Sequence, residues 1–395
     1  MIDRRSLLAA PLLALAAPRP LRAARAPVIG VINDMSGAYA DLGGKGSVIA
    51  ARMALADFGG GGRILVADHH NKPDLATGLV ADWIDRDGVD VIVDGGASSA
   101  GLAIQEVCRR KQRIFLATGP ATSDLTGKAC SPYGFHWTYD TYALAAGTAN
   151  TLVRRGGTTW YFITADYAFG HSVERDTTTL VEAAGGKVLG GVKAPIGSTE
   201  FSSYLLQAQS SGAKVVALAV GGGDLVNAVK QAVEFGLTRG GTALAGLLTF
   251  NTDVHGMGLA AAQGLVVTTA YDWGIDPAMH AFGVRFAAEN DGRPPSMVQA
   301  GTYGGVLHYL KAAGAAGTLD ADAVAAAMRR LPIDDFMSKG AWIRKDGLVM
   351  RTMYVEAVKS PAESRGPWDY FSLLAAVPPE QAFRPLDPAL CRLAG

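Results

Sequence analysis

The chain has 395 residues, of which 36 are Lys or Arg and 36 are Asp or Glu, so its formal net charge is zero. A neutral chain lacks the broad positive field that nucleic acid or an anionic membrane surface requires, which disfavours both as partners. The length exceeds what one hydrophobic core usually organises, and 49% of the residues are hydrophobic. We therefore expect two lobes of similar size and a small-molecule partner.

The first 26 residues have the pattern of an export signal. Arg4-Arg5 precedes an apolar run from Leu7 to Ala17, and Ala24-Arg25-Ala26 offers a cleavage site. The paired arginines resemble a twin-arginine signal, and a general secretory route fits as well. The apolar run is too short to span a bilayer, and an apolar first helix of the mature chain would not need these flanks. We predict a periplasmic protein whose leader, residues 1–26, is removed, and which is not embedded in a membrane.

Short β-branched runs alternate with amphipathic helical stretches along the chain. The predicted strands are 28–33, 64–67, 89–93, 114–117, 160–164, 215–220, 243–249 and 265–269. The predicted helices between them are 47–58, 75–85, 99–110, 142–154, 171–184, 201–210 and 225–235. After Tyr271 the pattern changes to helices over 277–290, 297–313 and 320–330, followed by a hairpin around Lys345-Asp346-Gly347. Repeated βα order is typical of parallel sheets.

An internal sequence repeat indicates two lobes of similar fold. The segment Gly88–Ile92 is followed by Gly95-Gly96, and the similar segment Gly212–Val216 is followed by Gly221-Gly222. We predict an α/β fold of two doubly wound, Rossmann-like lobes joined by a hinge that the chain crosses more than once. Lobe 1 is expected to comprise residues 27–141 and 272–350, and lobe 2 residues 142–271 and 351–395. Ligands of such sheets bind at the carboxyl ends of the strands, which places the site in the cleft between the lobes.

Four loops that follow predicted strands carry a resemblance to a known family. Their sequences are Asn33-Asp34-Met35-Ser36-Gly37, Gly95-Gly96-Ala97-Ser98-Ser99, Ala117-Thr118-Gly119-Pro120-Ala121-Thr122 and Ala165-Asp166-Tyr167-Ala168-Phe169-Gly170. In this order, and behind an export signal, they resemble the type I periplasmic-binding-protein family and, within it, the branched-chain amino-acid-binding branch. The resemblance covers nearly the whole mature chain. It implies a solute-binding protein of an ABC importer, which captures its ligand by hinge closure and hands it to a membrane permease.

Ser98 and Ser99 lie where a strand turns into a helix, so that hydroxyls and unpaired N–H groups meet at the positive end of the helix dipole. Serines before a helix are also ordinary N-caps, which is the alternative interpretation. The resemblance implies that this turn and Thr118 hold a ligand carboxylate, with backbone contacts from Ala117 and Gly119.

Aromatic residues are expected on the opposite wall of the cleft. The resemblance implies that a tyrosine of lobe 2 faces the ligand, and Tyr167 and Phe169 lie in the corresponding loop. Packing in the core is the alternative for either ring.

The sequence departs from the resembled branch in two places. That branch has an acidic residue near Gly246 to pair with the ligand ammonium, where this chain has Leu248. Because a buried ammonium needs a counter-charge, either Asp140, Asp253 or Asp272 substitutes or the ligand has no ammonium. An aromatic wall of the branch is replaced by Gly221, which predicts a larger pocket. We therefore expect a small carboxylate ligand, either an amino acid or an aromatic or aryl-aliphatic acid that stacks on rings such as Tyr271.

Three cysteines in an exported chain allow at most one disulfide and one spare thiol. Cys108 lies in a predicted helix, whereas Cys130 and Cys391 lie in Pro-punctuated irregular segments, so we favour a bond between Cys130 and Cys391.

No complete catalytic, metal or nucleotide motif is found. Asp68-His69-His70 is interpreted as a solvated loop, Gly43-Gly44-Lys45-Gly46 as an incomplete phosphate loop, and Gly96–Ala100 as an incomplete nucleophile elbow. We expect a monomeric binding protein with no cofactor and no metal. The alternatives left open are the ligand-sensing module of a signalling system and an α/β hydrolytic enzyme, which would consume its ligand.

Overall fold

The computed structural model describes residues 25–59 and 61–395. Most of the predicted leader, residues 1–24, lies outside the described residues. Within the part that is described, no helix is both long enough and apolar enough to cross a lipid bilayer.

The chain follows a βα order through its first two thirds. The strands are β1 Val28–Asn33, β2 Arg63–Asp68, β3 Val91–Asp94, β4 Ile114–Ala117, β5 Gly134–His136, β6 Thr159–Ala165, β7 Lys187–Ala194, β8 Val215–Ala219, β9 Ala243–Gly246, β10 Val266–Thr269, β11 Trp342–Ile343, β12 Val349–Met350, β13 Met353–Val358 and β14 Phe371–Val377. The α-helices are α1 Gly44–Phe58, α2 Pro73–Asp82, α3 Ser98–Lys111, α4 Thr141–Arg154, α5 Ala168–Ala183, α6 Ser202–Ser210, α7 Gly223–Glu234, α8 Asn251–Met257, α9 Leu259–Ala262, α10 Pro277–Glu289, α11 Met297–Ala316, α12 Ala321–Arg330 and α13 Pro379–Ala382.

These strands form two main sheets, which confirms the predicted α/β fold of two lobes. The five-stranded sheet has the order β2-β1-β3-β4-β5 and is parallel throughout. The seven-stranded sheet has the order β14-β13-β10-β9-β8-β6-β7, in which β13 and β14 run antiparallel to their neighbours. The first sheet lies within the residues predicted for lobe 1 and the second within those predicted for lobe 2, while the exact boundaries remain a prediction.

Helices cover both faces of the first sheet, and β1 shows why its sequence is almost continuously apolar. Ile29 and Val31 enter the core cluster on the side of α1 and α11, whereas Val28 and Ile32 enter the cluster on the side of α2 and α3. Alternate side chains of a strand point to opposite faces, so a strand covered on both faces needs apolar residues at nearly every position.

The chain crosses between the sheets several times. It leaves the first sheet after β5, builds the second sheet up to β10, and returns with α11, which packs against α1. It then crosses again to add β13 and β14 to the second sheet. A disulfide joins Cys391 to Cys130, with Cα atoms 5.8 Å apart, and so ties the C-terminal tail back to lobe 1. This is the pairing favoured from the sequence, and Cys108 is buried and free.

Candidate ligand-binding site

The carboxyl ends of parallel strands from both sheets meet at one cavity. Lobe 1 contributes Asn33, Asp34, Tyr39, Leu42, Gly43, Asp94, Gly96, Ala97, Ser98, Gly119, Ala121, Tyr139 and Val298. Lobe 2 contributes Tyr167, Phe169 and Leu248. The cavity is therefore mostly apolar and aromatic, with its Asp, Asn and Ser side chains all on lobe 1 and the Tyr167 hydroxyl on lobe 2, a composition that is typical of small-molecule sites.

The turn between β3 and α3 forms the polar wall of the cavity. Gly95 and Gly96 have φ values of 92° and 59°, which are accessible to glycine with little strain. Ala97 is the N-cap residue of α3, and no side chain caps this end of the helix. The first N–H groups of α3 therefore begin at the cavity without a capping side chain, which is a suitable environment for an anion. The Ser98 hydroxyl accepts hydrogen bonds from the backbone N–H groups of Ala121 and Thr122, both at 3.2 Å, and so fixes the loop after β4 against this turn.

Two carboxylates line the cavity in different environments. Asp34 accepts hydrogen bonds from the backbone N–H groups of Gly37 (2.7 Å) and Tyr39 (2.9 Å) in its own loop and from the Asn71 side chain in the loop after β2, so its oxygens are engaged by the protein itself. Asp94, the last residue of β3, is fully buried, and its burial raises the pKa of the carboxyl above its ordinary value.

The two lobes are in contact across the cavity, so the structure is a closed form. The hydroxyl groups of Tyr39 and Tyr167 are hydrogen-bonded at 2.5 Å. The N–H of Gly223 also donates to the Ala38 carbonyl at 3.1 Å. Burial raises the pKa of both tyrosines, so both hydroxyls are neutral at physiological pH and either can donate to the other. The Phe169 ring lies 6.0 Å from the Tyr167 ring and extends the aromatic wall.

Five of the ten ligand-binding residues predicted from the sequence line this cavity. They are Ser98, Gly119, Tyr167, Phe169 and Leu248. A further residue, Gly221, is not part of the lining but lies next to two residues that are, Leu248 and Tyr39. The structure thus brings together the strand-to-helix turn of lobe 1 and the aromatic loop of lobe 2.

The other four predicted residues lie away from the lining. Ser99 is partly exposed on α3, and Ala117 is buried in β4. The Thr118 hydroxyl is hydrogen-bonded at 2.8 Å to that of Thr302 on α11. The Tyr271 hydroxyl donates to the carbonyl of Met279 at 3.1 Å, and its ring packs edge-on against two phenylalanine rings in the core.

Gly221 does not enlarge the cavity as the sequence suggested. A Cβ atom at this position would lie 3.0 Å from Leu248 Cδ2 and 3.6 Å from Tyr39 Cε1. The space that an aromatic side chain would take is therefore occupied by Leu248 and Tyr39.

Three acidic residues considered as partners for a ligand ammonium are engaged elsewhere. Asp140 accepts from the N–H of Ala143 at the start of α4, Asp253 from the N–H of Phe250, and Asp272 from the N–H of Gly274. None of the three lines the cavity.

Several lining residues were not predicted from the sequence as ligand-binding. The sequence around Asp94 could have marked it as a candidate, since a carboxylate at the end of a strand and before a Gly-Gly turn lies at the sheet edge where ligands bind. The Tyr139 hydroxyl donates to the Gly119 carbonyl at 2.8 Å, and Val298 reaches the cavity from α11, far along the chain. No local pattern marks either of them.

The interpretation of His69 as part of a solvated loop is wrong. Its side chain is buried beneath the β3–α3 turn, where Nε2 lies 3.1 Å from the Gly95 carbonyl, and burial lowers the pKa of its imidazole. It supports the turn from below. Among the residues that the structure describes, no group of three or more His, Cys, Asp or Glu side chains is arranged to hold a metal ion.

Comparison with known proteins gives consistent matches over most of the chain. The family model described as periplasmic binding protein matches residues 27–364. A periplasmic binding protein from Burkholderia mallei shares 45% identity and a TM-score of 0.88, covering 91% of this chain and 96% of that one. A branched chain amino acid ABC transporter periplasmic ligand-binding protein from Burkholderia xenovorans LB400 shares 35% identity and a TM-score of 0.83, covering 93% and 100%. The Leu/Ile/Val-binding protein homolog 6 of Brucella melitensis is 24% identical over 304 residues, which are 71% of this chain and 74% of that protein.

The predicted resemblance is thereby confirmed, and with it the expectation of a binding protein in place of an enzyme. The two lobes, the cavity between them and the match over residues 27–364 agree. The chain belongs to the periplasmic binding protein family, whose members bind solutes.

Proposed function

We propose that the protein is the exported solute-binding component of an ABC importer, and that it holds a small carboxylate-bearing molecule in the cavity between its lobes. The observation that carries this proposal is the pairing of an uncapped helix start on lobe 1 with an aromatic wall on lobe 2, around one shared cavity. The helix start suits a carboxylate and the rings suit an apolar ligand body.

Binding is coupled to hinge closure. In an open form the ligand enters and places its carboxylate at the start of α3, beside the Ser98 hydroxyl. Lobe 2 then closes, Tyr167 meets Tyr39, and Phe169 and Leu248 cover the ligand. A ligand that contacts both lobes stabilises the closed form because it binds that form more tightly than the open one. The closed pair of lobes presents the surface that the permease recognises.

The names of the relatives support a ligand with an acidic group. One relative at 35% identity is described as a branched chain amino acid ABC transporter ligand-binding protein. The more distant relative is described as a Leu/Ile/Val-binding protein homolog. Amino acids and simple aromatic acids share the carboxylate that the start of α3 would hold.

The test is a thermal-shift screen followed by calorimetry on the processed protein. The probes are L-leucine, L-valine, benzoate and phenylacetate, each with its primary amide as a matched control. We expect at least one acid to raise the melting temperature, its amide to bind at least tenfold more weakly, and the acid to be recovered unchanged. Equal binding of acids and amides would contradict the carboxylate anchor, and consumption of the probe would indicate an enzyme.

The role in import needs a separate measurement. Deletion of the gene should abolish uptake of the labelled ligand by intact cells, and a copy that lacks residues 1–26 should fail to restore it. Restoration by the leaderless copy would contradict the assignment of those residues as an export signal.

A further inference from the structure

Asp94 holds a position in the cavity wall that a structural residue would not need. It is the last residue of β3, its side chain is fully buried, and its backbone is left-handed with φ at 78°. Non-glycine residues rarely adopt this conformation, and strained residues of this kind cluster at ligand sites. The chain therefore keeps a carboxylate here although a glycine would relieve the backbone.

Two glycines leave room for this carboxylate. A Cβ atom on Gly43 would lie 2.6 Å from one Asp94 oxygen, and a Cβ atom on Gly119 would collide with the other. Side chains at either position would displace the carboxylate from the cavity. Gly43 and Gly119 both line the cavity, so the space they leave is continuous with the site.

The hydrogen-bonding capacity of Asp94 is only partly used. Its Oδ2 accepts from the Asn33 side chain at 2.6 Å, its Oδ1 accepts from the N–H of Gly96 at 3.2 Å, and the Ser47 hydroxyl is a third donor beside the carboxylate. Two carboxylate oxygens offer about four acceptor sites. Within the described residues no Lys or Arg nitrogen lies within 4.0 Å of it. The titratable side chains around it are His69, Asp34, Tyr39 and Tyr139. The cavity thus contains a desolvated carboxylate without a cationic partner from the protein, which is unfavourable unless a ligand supplies one.

Resting on the function proposed above, we propose that Asp94 binds the protonated amino group of an α-amino acid whose carboxylate lies at the start of α3. Asp94 and the first residue of α3 are four positions apart, on either side of the same tight turn. An acceptor for a cation and donors for an anion at one turn match the adjacent charged groups of an α-amino acid. The ammonium partner is thus on lobe 1, whereas the resemblance placed it near Leu248 on lobe 2.

The same geometry disfavours a simple acid. A ligand with a carboxylate and no amino group would bring its negative charge next to Asp94, and the Coulomb repulsion is strong away from water. The apolar lining of Leu42, Phe169, Leu248 and Val298 indicates that the amino acid has an apolar side chain.

The experiment compares matched ligand pairs that differ only in the amino group. Wild type, Asp94→Asn and Asp253→Asn are titrated by calorimetry with L-leucine and 4-methylpentanoate, and with L-phenylalanine and 3-phenylpropanoate. Asparagine keeps the shape of aspartate and also tolerates the left-handed conformation, so the first variant removes the charge and one of the hydrogen bonds that the carboxylate accepts. Asp253 is another buried carboxyl, but it lies outside the cavity lining, so its variant is the control.

We expect wild type to prefer the amino form of at least one pair by a hundredfold or more. In Asp94→Asn the amino form should bind at least tenfold more weakly, while the deaminated acid binds equally or more tightly. Asp253→Asn should keep the preference of wild type. Wild-type affinity for the amino acid should also fall on acidification, because protonation of Asp94 removes the pair.

Other results would overturn the inference in distinguishable ways. If the deaminated acids bind wild type as tightly as the amino acids, Asp94 has no such role and the proposed function stands. If Asp94→Asn loses affinity equally for both members of a pair, Asp94 is a positioning residue of the turn. If no acid of either pair binds, both the inference and the carboxylate anchor are wrong.

Discussion

The contact between Tyr39 and Tyr167 is the most direct link between the two lobes at the cavity, and its removal should change ligand affinity in a defined way. Tyr39 is 6% exposed, and the two hydroxyls satisfy each other at 2.5 Å. In Tyr167→Phe the Tyr39 hydroxyl loses this partner in the closed form but regains water in the open form. The substitution therefore penalises closure.

The size of the effect follows from the cost of an unsatisfied buried hydroxyl, which is about 1–3 kcal/mol. Because about 1.4 kcal/mol corresponds to a factor of ten, either single substitution should weaken binding by roughly 5- to 150-fold. The double variant Tyr39→Phe/Tyr167→Phe removes both hydroxyls together and leaves none unpaired. Its affinity should therefore return to within a few-fold of wild type.

The assay is a double-mutant cycle measured by calorimetry with the ligand selected in the screen. Small-angle scattering on the same samples measures the closed fraction, which should fall in each single variant and recover in the double variant. Two results would contradict a stabilising hydrogen bond between the two hydroxyls in the closed form: single variants that bind the ligand like wild type, or a double variant that binds the ligand more weakly than either single variant. The latter would mean that the hydroxyls bind the ligand instead of each other.

Three further predictions concern other parts of the molecule. Serine at both Cys130 and Cys391 opens a loop with a sequence separation of 261, and the chain-entropy model gives a loss of about 5.6 kcal/mol in the free energy of unfolding. Urea titration measures this loss, and a value below about 1 kcal/mol would mean that the tail detaches before the rest of the protein unfolds. Burial raises the pKa of Asp253 to about 7, so the folded state holds this proton more tightly than the unfolded state, and stability falls as pH rises from about 4 through 7. Asp253→Asn should therefore gain stability over wild type at pH 8, by roughly 4 kcal/mol at most, and little at pH 4; an equal difference at both pH values would contradict this. Ser98→Ala should weaken carboxylate binding by about tenfold, because the start of α3 loses its hydrogen bonds to the loop after β4. The control Ser99→Ala leaves the cavity lining intact and should bind the ligand like wild type.

β1 and β4 were predicted accurately because each is buried on both faces and therefore reads as a continuous apolar run. β1 over Val28–Asn33 and β4 over Ile114–Ala117 have the predicted bounds. β7 was missed because Lys187–Ala194 contains two glycines and is half-exposed along most of its length. β14 over Phe371–Val377 was missed because it is an edge strand with an exposed middle, so burial does not shape its pattern.

The sequence predicted which loops form the site but not all of the side chains that line it. Loops after parallel strands converge on one edge of a sheet, so topology places the loops that carry Ser98 and Tyr167, and the family resemblance pointed to these residues within them. The direction of a side chain within a loop could not be read in this way, and the Thr118 hydroxyl bonds to Thr302 instead of lining the cavity. Val298 lies on a helix whose packing depends on contacts remote in the sequence, which no local pattern encodes.

The most direct test of the central claim is a crystal structure of the processed protein with the ligand selected by titration. We expect one small molecule between the lobes, with its carboxylate at the start of α3 beside Ser98 and its body against Tyr167 and Phe169. A ligand bound outside this cavity would contradict the proposed binding site, and a ligand bound within it with its carboxylate away from α3 would contradict the proposed carboxylate anchor.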